Sequence, residues 1–208
     1  MKKTVSLFGM FGPIGMFGVF NNHKGHSLKK PPVVLILGLL AFSSSPSQVL
    51  NNARVLGRSD ASLGFFAAMP SSKDLNLIGD FGFGLGGGSD LGVRAVFGEG
   101  ETYLGLDVEW LLTTRSPLIS ISLGAHKAGD VGVDGTLNIS FPITRVVGLY
   151  TGVDANVEFA NGTTATPVWF FIGFDVDIRN YMELTFEVDP ALSDSAGDMF
   201  AGGVRFYF

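Results

Sequence analysis

The 208-residue chain contains no cysteine. That removes structural disulfides, a thiol nucleophile, a lipid anchor on cysteine and cysteine metal ligands together. Charge is also scarce, at 16% Asp, Glu, Lys and Arg against roughly 25% in an average globular chain. No lysine follows Lys127. Long apolar runs are missing too: the longest aliphatic stretch, Val33 to Phe42 (VVLILGLLAF), is half of the roughly 20 residues a helix needs to cross a bilayer. What the chain has in quantity is glycine, 29 residues, and phenylalanine, 19. A composition poor in charge and rich in glycine and aromatics expects a nonaqueous neighbour, and no segment offers a spanning helix to meet it.

The Val33 to Phe42 run has the length of a signal-peptide core. His23, Lys24, His26, Lys29 and Lys30 precede it, and Ser43, Ser44, Ser45 and Ser47 follow it, so residues 1–47 are expected to be a cleaved leader, with Met16 an alternative start. Residues 48–58 are then a short N-terminal segment and residues 59–208 the folded domain. Loss of the leader takes Lys2, Lys3, Lys24, Lys29 and Lys30 but none of the 19 acidic residues, which moves the net charge from −5 to −10. An acidic chain without a basic patch argues against nucleic-acid binding, where phosphate neutralisation by Lys and Arg supplies most of the affinity.

From Ser59 onward the apolar residues recur with period two, and ten candidate strands follow. The clearest sets Leu104, Leu106, Val108, Trp110 and Leu112 against Tyr103, Gly105, Asp107, Glu109 and Leu111. Ala61 to Met69 is the weakest and Leu91 to Phe97 the shortest, so eight strands remain an alternative to ten. In the strand beginning at Val168 the first half is apolar on both faces, through Trp169 and Phe171. Alternation alone fits a soluble barrel or sandwich as well, with the apolar face turned inward. The opposite face favours a membrane barrel: it carries Gly, Ser, Thr, Asn, Tyr and carboxylates, which suit a packed lumen better than a water-facing surface rich in lysine.

The closing segment, Phe200-Ala-Gly-Gly-Val-Arg-Phe-Tyr-Phe208, puts Phe200, Gly202, Val204, Phe206 and Phe208 on one face and Ala201, Gly203, Arg205 and Tyr207 on the other. It resembles the last strand of bacterial outer-membrane β-barrels, whose terminal Phe is read by the barrel-assembly machinery. The resemblance covers those nine residues. It implies an all-β fold, a closed antiparallel up-and-down transmembrane β-barrel, with Phe200, Val204, Phe206 and Phe208 as the assembly signal. It also implies the assembly machinery, outer-membrane lipid and lipopolysaccharide as partners, besides any surface partner. With the C-terminus at the periplasmic rim, residues 48–58 are periplasmic. The periplasmic turns fall at Gly86 to Asp90, Thr113 to Ser116, Pro142 to Thr144 and Arg179 to Asn180. The outer loops fall at Pro70 to Asp74, Gly98 to Glu101, Lys127 to Asp130, Ala160 to Thr166 and Asp189 to Asp198. Trp110, Phe141, Phe159, Tyr181 and Phe208 are placed at strand ends, where aromatic girdles meet the interface.

The inward face then carries Asp80, Asp107, Glu109, Asp134, Asp154, Glu158, Asp175, Asp177, Glu183 and Glu187 against Arg94, Arg179 and Arg205. A small barrel has room only for side chains, so these charges must pair or be hydrated. The expected arrangement is a hydrogen-bonded plug of Arg94, Glu109, Asp177, Arg179, Glu183 and Arg205 near the periplasmic half, and the alternative a cation-selective path through an acidic lumen. His126 is the only histidine after the leader and is expected at the outer end of its strand near Asp130 and Asp134. A His/Asp pair at an outer rim resembles the outer-membrane proteases and acyltransferases, but no nucleophilic serine accompanies it. Gly82 to Gly87 matches G-x-G-x-x-G, yet a turn and a strand follow instead of a helix, which excludes a dinucleotide site. Asn161-Gly-Thr163 is a sequon in a loop. No metal site and no cofactor is expected, and the expected role is structural or surface-interacting rather than enzymatic.

Overall fold

The structure, a computed structural model, describes residues 50, 52–71, 74–98, 102–160 and 163–208. The expected leader lies outside the described residues, as do Asn161 and Gly162 of the sequon. The described chain is all β, with no α-helix. Its strands are β1 Ala61–Pro70, β2 Asn76–Gly84, β3 Ser89–Phe97, β4 Tyr103–Thr113, β5 Leu118–Ala128, β6 Asp130–Pro142, β7 Val147–Ala160, β8 Thr163–Ala165, β9 Val168–Arg179, β10 Met182–Asp189 and β11 Met199–Tyr207. Each pairs antiparallel with its neighbour from β1 to β7, then β7 with β9, β9 with β10 and β10 with β11. The ring closes where β1 meets β11, from Ser62 opposite Tyr207 to Pro70 opposite Met199.

The result is a closed up-and-down barrel of ten strands with one short extra strand. Ten rather than eight is therefore correct, and both doubtful segments are full members of the wall. β1 reads weakly because its inner positions hold Ser62, Gly64, Phe66 and Ala68, which hardly differ in polarity from its outer ones. Phe66 is tolerated inside because the Arg205 guanidinium lies over its ring, 5.5 Å from the centroid. The extra strand departs from the expected loop at Ala160 to Thr166: β8 folds back on the end of β7, Glu158 opposite Ala165.

Both barrel ends of the chain meet at one rim, where Ala61 and Phe208 exchange backbone hydrogen bonds of 3.2 and 2.9 Å. The connections at this termini rim are tight. One of them holds Gly86, Gly87 and Gly88 at φ +87°, +69° and +79°, the left-handed region that glycine enters without steric cost, which accounts for the glycine run as a turn. The opposite, loop-side rim carries β8 and the connection from Pro190 to Asp198. That connection is held down by Trp169, whose Nε1 donates to Gly197 O at 2.9 Å, and by Leu192 N donating to Val168 O at 2.8 Å.

The wall is inverted relative to a soluble barrel. Leu104, Leu106, Leu112, Leu123, Val131, Phe174 and Phe200 are exposed on the outside, and so are the expected girdle residues Trp110, Phe141, Phe159, Tyr181 and Phe208. Asp80, Arg94, Asp107, Glu109, Asp134, Asp154, Glu183, Glu187 and Arg205 are buried inside. An apolar cluster fills one side of the bore near the loop rim, where Phe66, Ala68, Ile78, Val96, Tyr103, Met199 and Ala201 meet. This is why the inner faces of β1 and β2 do not read as purely polar.

Candidate functional site in the bore

The termini half of the bore is filled by the chain itself. The residues ahead of β1, expected to lie outside the barrel, enter it instead, and the polar wall explains how. The Leu50 N–H donates to Glu187 Oε1 at 2.8 Å, Ala53 N–H to Ser140 Oγ at 2.9 Å and Leu56 N–H to Asp90 Oδ2 at 2.8 Å. Arg205 Nη2 donates to Leu50 O at 3.1 Å. A segment without secondary structure can be buried only if its backbone groups find partners, and here the wall side chains supply them. Leu50, Asn52 and Ala53 are buried as a result.

Arg54 carries the charge of this inserted segment. Its guanidinium donates to both carboxylate oxygens of Asp177 at 3.2 Å and to Glu183 Oε2 at 3.1 Å, with Asp175 at 3.6 Å. Burial alone would weaken its hold on the proton; the carboxylates of Asp177, Glu183 and Asp175 more than reverse that, so its pKa lies above the ordinary arginine value. Tyr207 Oη donates to the same Glu183 oxygen at 3.0 Å. Asp175, Asp177 and Glu183 lie close enough together to hold a metal ion, but the guanidinium already occupies the position between them.

A second network lies deeper. Asp80 stands between two arginines, accepting from Arg94 Nη2 and from Arg205 Nη2, both at 3.2 Å. All three are buried. Glu109 belongs to neither network, contrary to expectation: it accepts from the Ser120 hydroxyl and from Asn138 Nδ2. Arg179 is a further correction. Its position on β9 has inward parity, but the register with β10 shifts at Met182 and Glu183, and Arg179 is left exposed at the rim.

The loop-side half has a different chemistry. His126 lies near the loop-side end of β5 as expected and is buried: its Nδ1 lies 2.7 Å from Asp134 Oδ2, and its ring stacks on Tyr103 at 5.1 Å between centroids. Thr136 Oγ1 donates to Asp154 Oδ1 at 2.6 Å. Glu187 and Asp189 share the inner face of β10, and neither Glu187 Oε2 nor either oxygen of Asp189 accepts a hydrogen bond. Glu158 is half-buried near the loop rim. Three participants do not appear among the residues expected from the sequence. Asp90 and Asp189 sit at strand ends and read as turn residues, and Arg54 belongs to the segment ahead of the wall. The excess of carboxylates over arginines among the inward positions is the one signal that could have pointed to Arg54, since it calls for a cation from elsewhere in the chain.

No family model and no curated protein matches the chain. Among solved structures it is similar to the NanC porin, with 7% identity, 69% of this chain and 98% of that one covered, and a TM-score of 0.48. It is similar also to the KdgM porin, with 11% identity, coverage of 71% and 99%, and a TM-score of 0.44. The third is the N-terminal β-barrel domain of Pseudomonas aeruginosa OprF, with 14% identity, coverage of 74% and 100%, and a TM-score of 0.38. Likeness at this level carries no function with it.

Proposed function

We propose that this chain is an integral outer-membrane β-barrel with a structural or surface-contact role, and that its bore is closed in the resting protein. The observation that carries the proposal is the occupied bore, in which Leu50, Ala53 and Leu56 are hydrogen-bonded to side chains of β3, β6, β10 and β11. Placement in a membrane is supported by the inverted wall. A closed ring leaves no unpaired strand edge, which lipid requires, while an exterior so apolar would drive aggregation in water. The outward Phe200, Val204 and Phe206 of β11 and the following Phe208 serve assembly, and the loop-side rim, with the connection Pro190 to Asp198, faces outward to lipopolysaccharide or a partner.

A second reading, a cation-selective leak, is favoured by the carboxylates lining the bore beyond the inserted segment. Planar-bilayer recording of the full chain separates the two. The closed barrel is electrically silent, whereas a steady cation-selective current that shifts in Asp107→Asn or Asp154→Asn would replace it with the pore. The membrane placement has its own tests. The detergent-folded protein should show heat-modifiable gel mobility, and deletion of Phe208 should leave the chain in periplasmic aggregates. Purification from the soluble fraction without detergent would overturn it. A nonenzymatic role is supported by the surroundings of His126, which is 4% exposed and lies under Tyr103 inside the wall. Hydrolytic activity that disappears in His126→Ala would contradict that role.

A further inference from the structure

We infer that the outer surface of β4, β5 and β6 at the loop-side rim binds a phosphorylated, multiply acylated glycolipid of the outer leaflet, the chemistry of the lipid A portion of lipopolysaccharide. The site rests on the outer-membrane placement proposed above.

Charge provides the first observation. Among the described residues at the loop-side rim, Lys127 is the only charged side chain at an outward-facing position of the ten strands that close the ring. The other exposed strand charge, Arg179, lies at the opposite rim, where the β9–β10 register shift sets it beside Met182. Lys127 stands one residue from the end of β5, at the loop-side rim. A cation at this level lies where lipid phosphates lie, and its aliphatic stem can follow the apolar wall while the ammonium stays at the headgroups.

Shape provides the second. Val93, Leu104, Leu106, Ala125, Lys127 and Val131 line an open groove of about 360 Å³ on the outside of the barrel. The register shows what makes it. Ala125 stands between Leu106 on β4 and Val133 on β6, and Lys127 between Leu104 and Val131. One short side chain among branched ones leaves a trough, and the cation lies at its rim end. The pairing of an apolar trough with a single positive charge fits an acyl chain continuous with a phosphate.

The rim decides the source. Phospholipids of the inner leaflet would meet the opposite edge of the wall, where Arg179 is exposed and which is away from Lys127 and the trough. Zwitterionic headgroups offer Lys127 no net charge, and free phosphate has no chain to fill the trough.

The test uses the full chain folded in a neutral detergent, with hexa-acylated lipid A and phosphatidylglycerol added separately and bound lipid counted by native mass spectrometry. Wild type should retain lipid A in preference to phosphatidylglycerol. Lys127→Gln should lower lipid A retention about fivefold, the effect of one lysine at a membrane surface, and Ala125→Phe, which fills the trough, should lower it at least as much. Heat-modifiable mobility reports folding of each variant independently. Folded variants that both retain lipid A at the wild-type level would overturn the site alone, as would equal retention of phosphatidylglycerol by wild type. A chain that stays soluble without detergent and binds neither lipid would overturn the membrane placement and the site with it.

Discussion

The two halves of the bore are built from the same residue types and solve opposite problems. Toward the termini rim each buried carboxylate of the networks faces a guanidinium: Asp80 lies between Arg94 and Arg205, and Asp175, Asp177 and Glu183 surround Arg54. Toward the loop rim the charge facing Asp189 comes from Glu187 and Asp154, which are acids themselves. A buried charge is tolerable when paired and costly when it faces its own kind. Removing a paired carboxylate should therefore destabilise the first half, and removing Asp189 should stabilise the second.

Asp80→Asn is expected to produce the largest effect. It leaves two buried guanidiniums 3.2 Å from a neutral amide instead of a shared carboxylate, and breaking a buried pair by removing one partner costs about 3–5 kcal/mol. The loss should appear as a lower urea midpoint for unfolding of the detergent-folded barrel, read by tryptophan fluorescence. Both Trp110 and Trp169 lie in the wall and report on it. An unchanged midpoint would mean that the three charges are solvated independently, and the contrast between the halves would lose its basis.

Asp189→Asn is expected to act with the opposite sign. Neither oxygen of Asp189 accepts a hydrogen bond, and the residue is 1% exposed. Neutralising it removes repulsion with Glu187 and Asp154, which should stabilise the barrel by about 1–2 kcal/mol. The same urea titration measures it, and Glu187→Gln in the same background should add little more, since the repulsion has already been relieved. Destabilisation by Asp189→Asn would show that this half is compensated as fully as the other.

How far the sequence reaches follows the same division. Which residues face outward was legible, because period two leaves only two faces and the charges fall almost entirely on one of them. The tight turns were legible too, since Gly86 to Gly88 need φ values that few other residues adopt. Asp90 and Asp189 were not: aspartate at a strand end is as good a turn residue as a wall residue, and only the register settles which it is. Arg54 was further out of reach. Its partners Asp177 and Glu183 lie more than a hundred residues away along the chain, and nothing local to Leu50-Leu56 indicates that the segment turns into the bore. Barrel closure, which sets the room inside, creates that contact.

Arg54 also gives the smallest expected change in stability and the sharpest test of what separates the halves. Its side chain is 45% exposed, so solvent screens its three ion pairs, and Arg54→Ala should lower stability by no more than about 1 kcal/mol. Its consequence for permeation is larger. Without the guanidinium, Asp175, Asp177 and Glu183 repel one another across the space the inserted segment occupies, and the backbone bonds of Leu50, Ala53 and Leu56 alone must hold it. Bilayer recordings of Arg54→Ala should show brief cation-selective openings absent from the wild type. Adding Asp177→Asn, which reduces that repulsion, should make them rarer. Silence in both variants, with heat-modifiable mobility intact, would show that the backbone bonds suffice to keep the segment in place, and that the arginine balances the acidic wall without holding the bore shut.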